Sequence, residues 1–168
     1  KNAEQSWTRF SVFRWANVIG SRGSALHRFA ETVPKGYAEI THPEMTSFWL
    51  TLDQAVDVLL KAAFTMQNGE VLVPKLPAVK IMDLAAAVAQ YLGITFRYSL
   101  AGLRSGGEKL HEHLVAPEES PYTRDEGDHF AVAYREESRL GVMASKIQEY
   151  TSQYPDTTLS LNELVRYI

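Results

Sequence analysis

Asn17-Val18-Ile19-Gly20-Ser21-Arg22-Gly23-Ser24 follows the hydrophobic run Phe10-Ser11-Val12-Phe13 and leads into a helix-like segment. That order, strand then Gly-Ser loop then helix, is the start of an α/β arrangement. Two glycines let the backbone turn tightly and approach a ligand closely. Ser24 is placed to cap the following helix, whose free N–H groups attract anions. Arg22 lies between Ser21 and Gly23, where its planar fork suits a phosphate.

Working outward, residues 8–14 read as a strand rich in β-branched and aromatic side chains. Ser24 to Val33 reads as a helix with Leu26, Phe29, Ala30 and Val33 on one side, stopped by Pro34-Lys35-Gly36. A short strand over 38–41 follows. Thr51-Leu52-Asp53-Gln54 has the form of a capping box. Beyond it Leu52, Ala55, Val56, Leu59, Leu60, Ala63 and Phe64 form one helical stripe of the kind that faces a core. Asn68-Gly69 turns the chain into the strand Glu70-Val71-Leu72-Val73. A helix over about 82–92 has Leu84, Val88, Tyr91 and Leu92 inward and Gly93 as its C-terminal cap. Thr95 to Leu100 alternates like a strand and enters a second Gly-rich loop at Gly102, Gly106 and Gly107. Phe130 to Tyr134 reads as a strand and 161–165 as a short helix. The polar stretch 135–153 carries no legible pattern.

Composition sets bounds. The chain has 168 residues, 45% of them hydrophobic, enough to bury a core. A net charge of -3 argues against a nucleic-acid partner, which selects a basic stripe. No apolar run approaches the ~20 residues that cross a membrane. The absence of cysteine removes disulfides and thiolate zinc sites and leads to the expectation of a cytoplasmic protein. The chain begins at Lys1, and we expect it to be a piece of something longer.

Two Gly-flanked arginines, Arg22 and Arg104, have the chemistry to hold phosphate; the bland reading makes both solvated loop residues. Glu108, four residues after Arg104, could accept from sugar hydroxyls or simply favour a helix start. His111 and His113 form an H-x-H pair with metal-ligand spacing; no third ligand is obvious, although His129 and Asp128 are candidates, so surface histidines are the simpler reading. Asp125-Glu126-Gly127-Asp128 reads as an exposed acidic turn. Phe48 and Trp49 either pack in the core or line a cleft. No G-x-S-x-G nucleophile elbow and no G-x-G-x-x-G dinucleotide fingerprint occurs, and no tyrosine has a lysine four residues on.

Several stretches together resemble one family. They are 14–24, Thr41-His42-Pro43-Glu44-Met45-Thr46 with Phe48-Trp49, 51–57, 69–75, 80–85 and Gly107-Glu108-Lys109-Leu110-His111-Glu112. In order and spacing they are similar to the C-terminal part of the NAD(P)-dependent nucleotide-sugar 4,6-dehydratases. These are extended short-chain dehydrogenases, and the likeness is greatest to the inverting UDP-N-acetylglucosamine enzymes of polysaccharide biosynthesis and flagellin glycosylation. The resemblance implies an α/β fold comprising a late Rossmann strand and a substrate-binding subdomain, with the N-terminal Rossmann core absent. It divides the chain into strand, ligand loop and helix (8–35), substrate-binding subdomain (36–134) and tail (135–168).

It also implies site roles. Asn17 would contact the diphosphate or sugar, and Arg22 would belong to the loop closing over the substrate. Arg104 would grip phosphate and Glu108 would bind ribose hydroxyls. No catalytic residue and no metal ligand is expected here. The cofactor of the intact family enzyme is NADP, which this chain is not expected to bind alone, and so it should not turn substrate over alone. Expected partners are a UDP-sugar, an N-terminal Rossmann half and, as a possibility of the family, further copies of the chain; nucleic acid and membrane are not expected.

Two departures bear on the diphosphate. The family's Met-Thr-Arg-Phe-Trp stands here as Met45-Thr46-Ser47-Phe48-Trp49, and losing one charge-assisted hydrogen bond to phosphate costs ~1.5–3 kcal/mol. Its Arg-Pro-Gly-Glu stands here as Arg104-Ser105-Gly106-Gly107-Glu108, longer and without the stiffening proline. They favour modestly a second reading, a degenerate paralogue serving as a non-catalytic nucleotide-sugar binding or assembly module.

Overall fold

A computed structural model describes residues 8, 10–133 and 149–168. The elements run β1 (Val12–Phe13), β2 (Asn17–Val18), α1 (Ala25–Thr32), β3 (Ala38–Ile40), β4 (Thr46–Leu50), α2 (Leu52–Thr65), β5 (Glu70–Pro74), β6 (Ala78–Lys80), α3 (Ile81–Tyr91), β7 (Tyr98–Leu100), β8 (His113–Val115), β9 (Thr123–Asp125), β10 (His129–Ala133), β11 (Tyr150–Thr151) and α4 (Leu161–Val165). The chain folds as two interleaved units. One takes residues 1–15, 53–75 and 113–150; the other takes 16–52, 76–112 and 151–168.

In the first unit the sheet order is β1-β5-β10-β9. β1 runs parallel to β5, with Val12 opposite Val71, and β10 runs antiparallel to β5, with Ala131 opposite Leu72. All five residues of β5 are buried, so its near-continuous apolar run is that of a strand covered on both faces. Glu70 is the exception by type. Only 4% exposed, it accepts from Arg124 Nη2 at 2.6 Å and from the Gln67 N–H at 3.0 Å, as burial of a carboxylate demands. Arg14 makes a bidentate pair with Glu119 at 2.7 and 2.8 Å and donates to the Leu114 carbonyl.

In the second unit β2-β4-β6 form one sheet and β3-β7 another, both with short strands. The core lies between α1, α3 and α4. Leu84, Val88 and Leu164 are fully enclosed, with Phe29, Val33, Ile40 and Trp49 packed around them. α3 ends in a Schellman motif. Gly93, at φ +66°, donates to the Gln90 carbonyl, and Ile94 N–H donates to Ala89 O at 2.9 Å.

The structure departs from sequence expectation in three places. Of the predicted strand 8–14, only Val12–Phe13 is ladder-paired. α2 forms as expected, yet it buries only the small residues Ala55 and Ala62. Val56, Leu59, Leu60 and Phe64 point to solvent, Phe64 88% exposed. Periodicity identified an apolar stripe without saying what would cover it. Tyr91 and Leu92 are also exposed, because α3 ends there and the chain turns away at Gly93. The unassigned residues 135–148 and Tyr134, placed in the strand by sequence, lie outside the described residues.

Candidate functional site

The second unit holds a cleft of about 470 Å³, within the range typical of small-molecule sites. One wall begins at Asn17. β2 runs parallel to β4 with Asn17 opposite Trp49, which brings the Asn17 side chain to Ser47. Beyond β2 the chain must turn sharply into α1. Gly20 and Gly23, at φ +74° and +78°, make that turn at no steric cost. Ser24 then caps α1, its Oγ accepting from His27 N–H. Ser24, Ala25, Arg28 and Phe29 share the helix face that borders the cleft.

The opposite wall is the loop after β7. Arg104 and Glu108 both line the cleft. Glu108 Oε2 accepts from the Arg104 backbone N–H at 2.8 Å, while its Oε1 lies 3.7 Å from Arg104 Nε. Arg28 stands 3.6 Å from Glu39. Lys109 and Glu112 complete three cationic and three anionic lining side chains, so a dianionic guest must draw arginines away from their carboxylates. Both ion pairs are long and partly solvated, a geometry that costs little to open. Met45, Trp49 and Ile81, all nearly buried, form the apolar floor.

A hydrogen-bonded network joins several of the lining side chains, Asn17, Thr46, Ser47 and Glu112. Asn17 Nδ2 donates to Ser47 Oγ at 2.6 Å and to Glu112 Oε1 at 2.8 Å. Glu112 Oε2 accepts from the Phe48 N–H at 3.0 Å. The Glu112 N–H donates to Ser152 Oγ at 2.9 Å, and Ser152 N–H donates back to the Glu112 carbonyl at 2.8 Å. Thr46 Oγ1 lies 2.7 Å from both His111 Nδ1 and Ser152 Oγ.

Of the residues singled out by sequence, the structure brings Asn17, Arg104 and Glu108 to the cleft. Arg22 is exposed on its loop, outside the lining. Arg28, Glu39 and Glu112 were missed. Arg28 was findable, since four residues past a helix cap the chain returns to the cap's face. Glu39 stands between buried Ala38 and Ile40 and must face outward. Phe48 and Trp49 are both core residues, and Trp49 also lines the cleft. His111 serves Thr46, whereas His113 pairs with Glu149 at 3.3 Å; among the described residues no three His, Asp or Glu side chains converge as a metal site. The strand-to-helix turn carries two glycines three apart, not the three of a dinucleotide cradle, so no hydride step is assigned to it. Among the described residues no helix is long and apolar enough to cross a membrane.

Comparison with known proteins bears on the family and the fold. The sequence pattern of the family described as "Polysaccharide biosynthesis protein" matches residues 1–134. The inverting UDP-N-acetylglucosamine 4,6-dehydratase of Campylobacter jejuni is 38% identical over 128 residues, covering 75% of this chain and 37% of that protein. The capsular polysaccharide biosynthesis protein CapD of Staphylococcus aureus is 37% identical over 123 residues, 68% of this chain and 20% of its own length. The chain thus spans well under half of these relatives. Among solved structures, Pen from Bacillus thuringiensis superposes with a TM-score of 0.80 at 27% identity, over 96% of this chain and 49% of that one. The chain belongs to the polysaccharide biosynthesis protein family and has the α/β fold of the extended short-chain dehydrogenases.

Proposed function

We propose that the chain is the substrate-holding portion of a nucleotide-sugar 4,6-dehydratase of surface polysaccharide or glycan biosynthesis, and that the cleft takes the UDP-sugar. The observation that carries this reading is the pairing, across one cleft, of Asn17 with the Arg104–Glu108 loop. Arg104 keeps its guanidinium mostly in solvent and only loosely paired, free to swing onto a diphosphate with two parallel hydrogen bonds. Glu108 stays fixed by the Arg104 N–H and offers its remaining lone pairs to the vicinal hydroxyls of a ribose. Arg28 supplies a second cation on the facing helix. Arg22 joins the loop above the substrate.

The residues present bind and orient; the general base and the dinucleotide fingerprint are not among them. In the intact family enzyme NADP would accept and return the hydride from a preceding Rossmann half in the cytoplasm, and this chain would contribute the substrate wall. Calorimetry of the chain with UDP tests the reading. Saturable binding is expected, weakened about tenfold by Arg104→Ala and weakened by added salt. No binding at millimolar UDP would sink it. Addition of NADP and UDP-N-acetylglucosamine is expected to give no turnover.

A further inference from the structure

The Glu112 carboxylate meets two donors at once, Asn17 Nδ2 on Oε1 and the Phe48 N–H on Oε2. A carboxylate can only accept, so it fixes which end of the Asn17 carboxamide faces it: the nitrogen. The second proton of that nitrogen goes to Ser47 Oγ. Both Asn17 N–H protons are therefore spent inside the wall, and Oδ1 takes no hydrogen bond from the described residues. Since Asn17 lines the cleft, Oδ1 is the atom it has left for a guest.

We propose that Glu112 is a positioning residue that sets the polarity of Asn17, making it an acceptor that reads a hydrogen-bond donor on the glycosyl group and not a phosphate oxygen. The inference rests on the nucleotide-sugar reading above. Oxygens of a diphosphate ester are ionised and have no proton to give to Oδ1. With the ribose hydroxyls on Glu108, the donors left on the guest are the uracil N3–H and the hydroxyls and acetamido N–H of the sugar; UDP carries the first and lacks the rest, so comparing UDP with the UDP-sugar separates them. The Glu112 backbone is itself held by the reciprocal pair with Ser152, which fixes the point from which its carboxylate reaches Asn17 and Phe48.

Glu112→Gln is the informative variant because it keeps the shape and changes the code. Glutamine offers one acceptor and one donor where two donors wait, so one of them must turn away. The ratio of UDP-N-acetylglucosamine to UDP affinity is expected to fall about fivefold in the variant, the worth of one hydrogen bond. An unchanged ratio, or an equal loss for both ligands, overturns the proposal. A spectroscopic arm needs no variant. The Asn17 side-chain NH2 protons should exchange slowly in the free chain and hold their resonance position when UDP is added. Rapid exchange, or a shift of those protons on UDP binding, also overturns it. Failure of UDP to bind at all would instead overturn the cleft reading, while the exchange rate still decides whether Glu112 holds the amide.

Discussion

Asp128 shows how a plain surface residue acquires a measurable role. Its carboxylate accepts from Lys61 and lies 2.7 Å from His129 Nδ1. The hydrogen bond from Lys61, then that from His129, holds its pKa at about 2, below the usual 3.8. Asp125, bonded to Lys75 and to the Gly127 N–H, is lowered as well. Arg124 moves the other way. Burial alone would lower it, but the hydrogen bonds it donates to Glu126 and Glu70 outweigh that and raise it. For a depressed carboxylate the stabilisation is complete above the unfolded pKa and is lost as pH falls through the folded one. The Asp128 share therefore disappears between about pH 4 and pH 2. The group is largely exposed, so its share is below about 1 kcal/mol. Thermal melts at pH 7 and pH 2.5 check this: Asp128→Asn should lose less stability on acidification than the parent, a difference of about 1–3 °C. An identical loss would refute it. The sequence suggested only an exposed acidic turn, since Lys61 and Lys75 reach it from other elements.

At the level of elements, α2 separates what a pattern can say from what it cannot. Helix existence was legible, because apolar residues recur at helical spacing and Asp53 occupies the first turn. Which side is buried was not. The helix buries Ala55 and Ala62, and the larger stripe is exposed. Substitutions should follow the observed burial. Leu60→Lys is expected to change stability by under about 0.5 kcal/mol, as for other surface positions. Ala62→Leu, at a position only 2% exposed, should cost about 1–3 kcal/mol by overpacking. Urea denaturation of the two variants gives the comparison, and a larger cost at Leu60 would reverse the assignment. The cleft repeats the lesson. Gly20, Gly23 and Ser24 announced the turn and cap in one short stretch. Glu112 and Ser47 meet Asn17 only through strand pairing and a distant loop, 95 and 30 residues away in sequence.

For the molecule as a whole, the apolar surface left open in the first unit is the feature with consequences. β1 ends the sheet order, so among the described residues its outer edge has no ladder partner, and Phe10 and Val12 are 66% and 58% exposed there. An open, apolar strand edge is a template for another strand. The outward side of α2 adds Val56, Leu59, Leu60 and Phe64 to the same unit's exposed apolar surface. Relatives in the family are much longer, and the chain covers 37% of the Campylobacter dehydratase. Hydrophobic side chains on this scale, if left in water, favour association. The purified chain is therefore expected to self-associate, its weight-average mass rising above 18.9 kDa as concentration increases in sedimentation equilibrium. Val12→Lys, which places a charge on the open edge, and Phe64→Ser, which removes the most exposed aromatic ring, should each lower that rise. Their combination should bring the mass close to the monomer. The cleft is formed wholly within the other unit, so UDP affinity should survive the double substitution. A parent chain that stays monomeric across the concentration range would show that neither surface recruits a partner of its own kind.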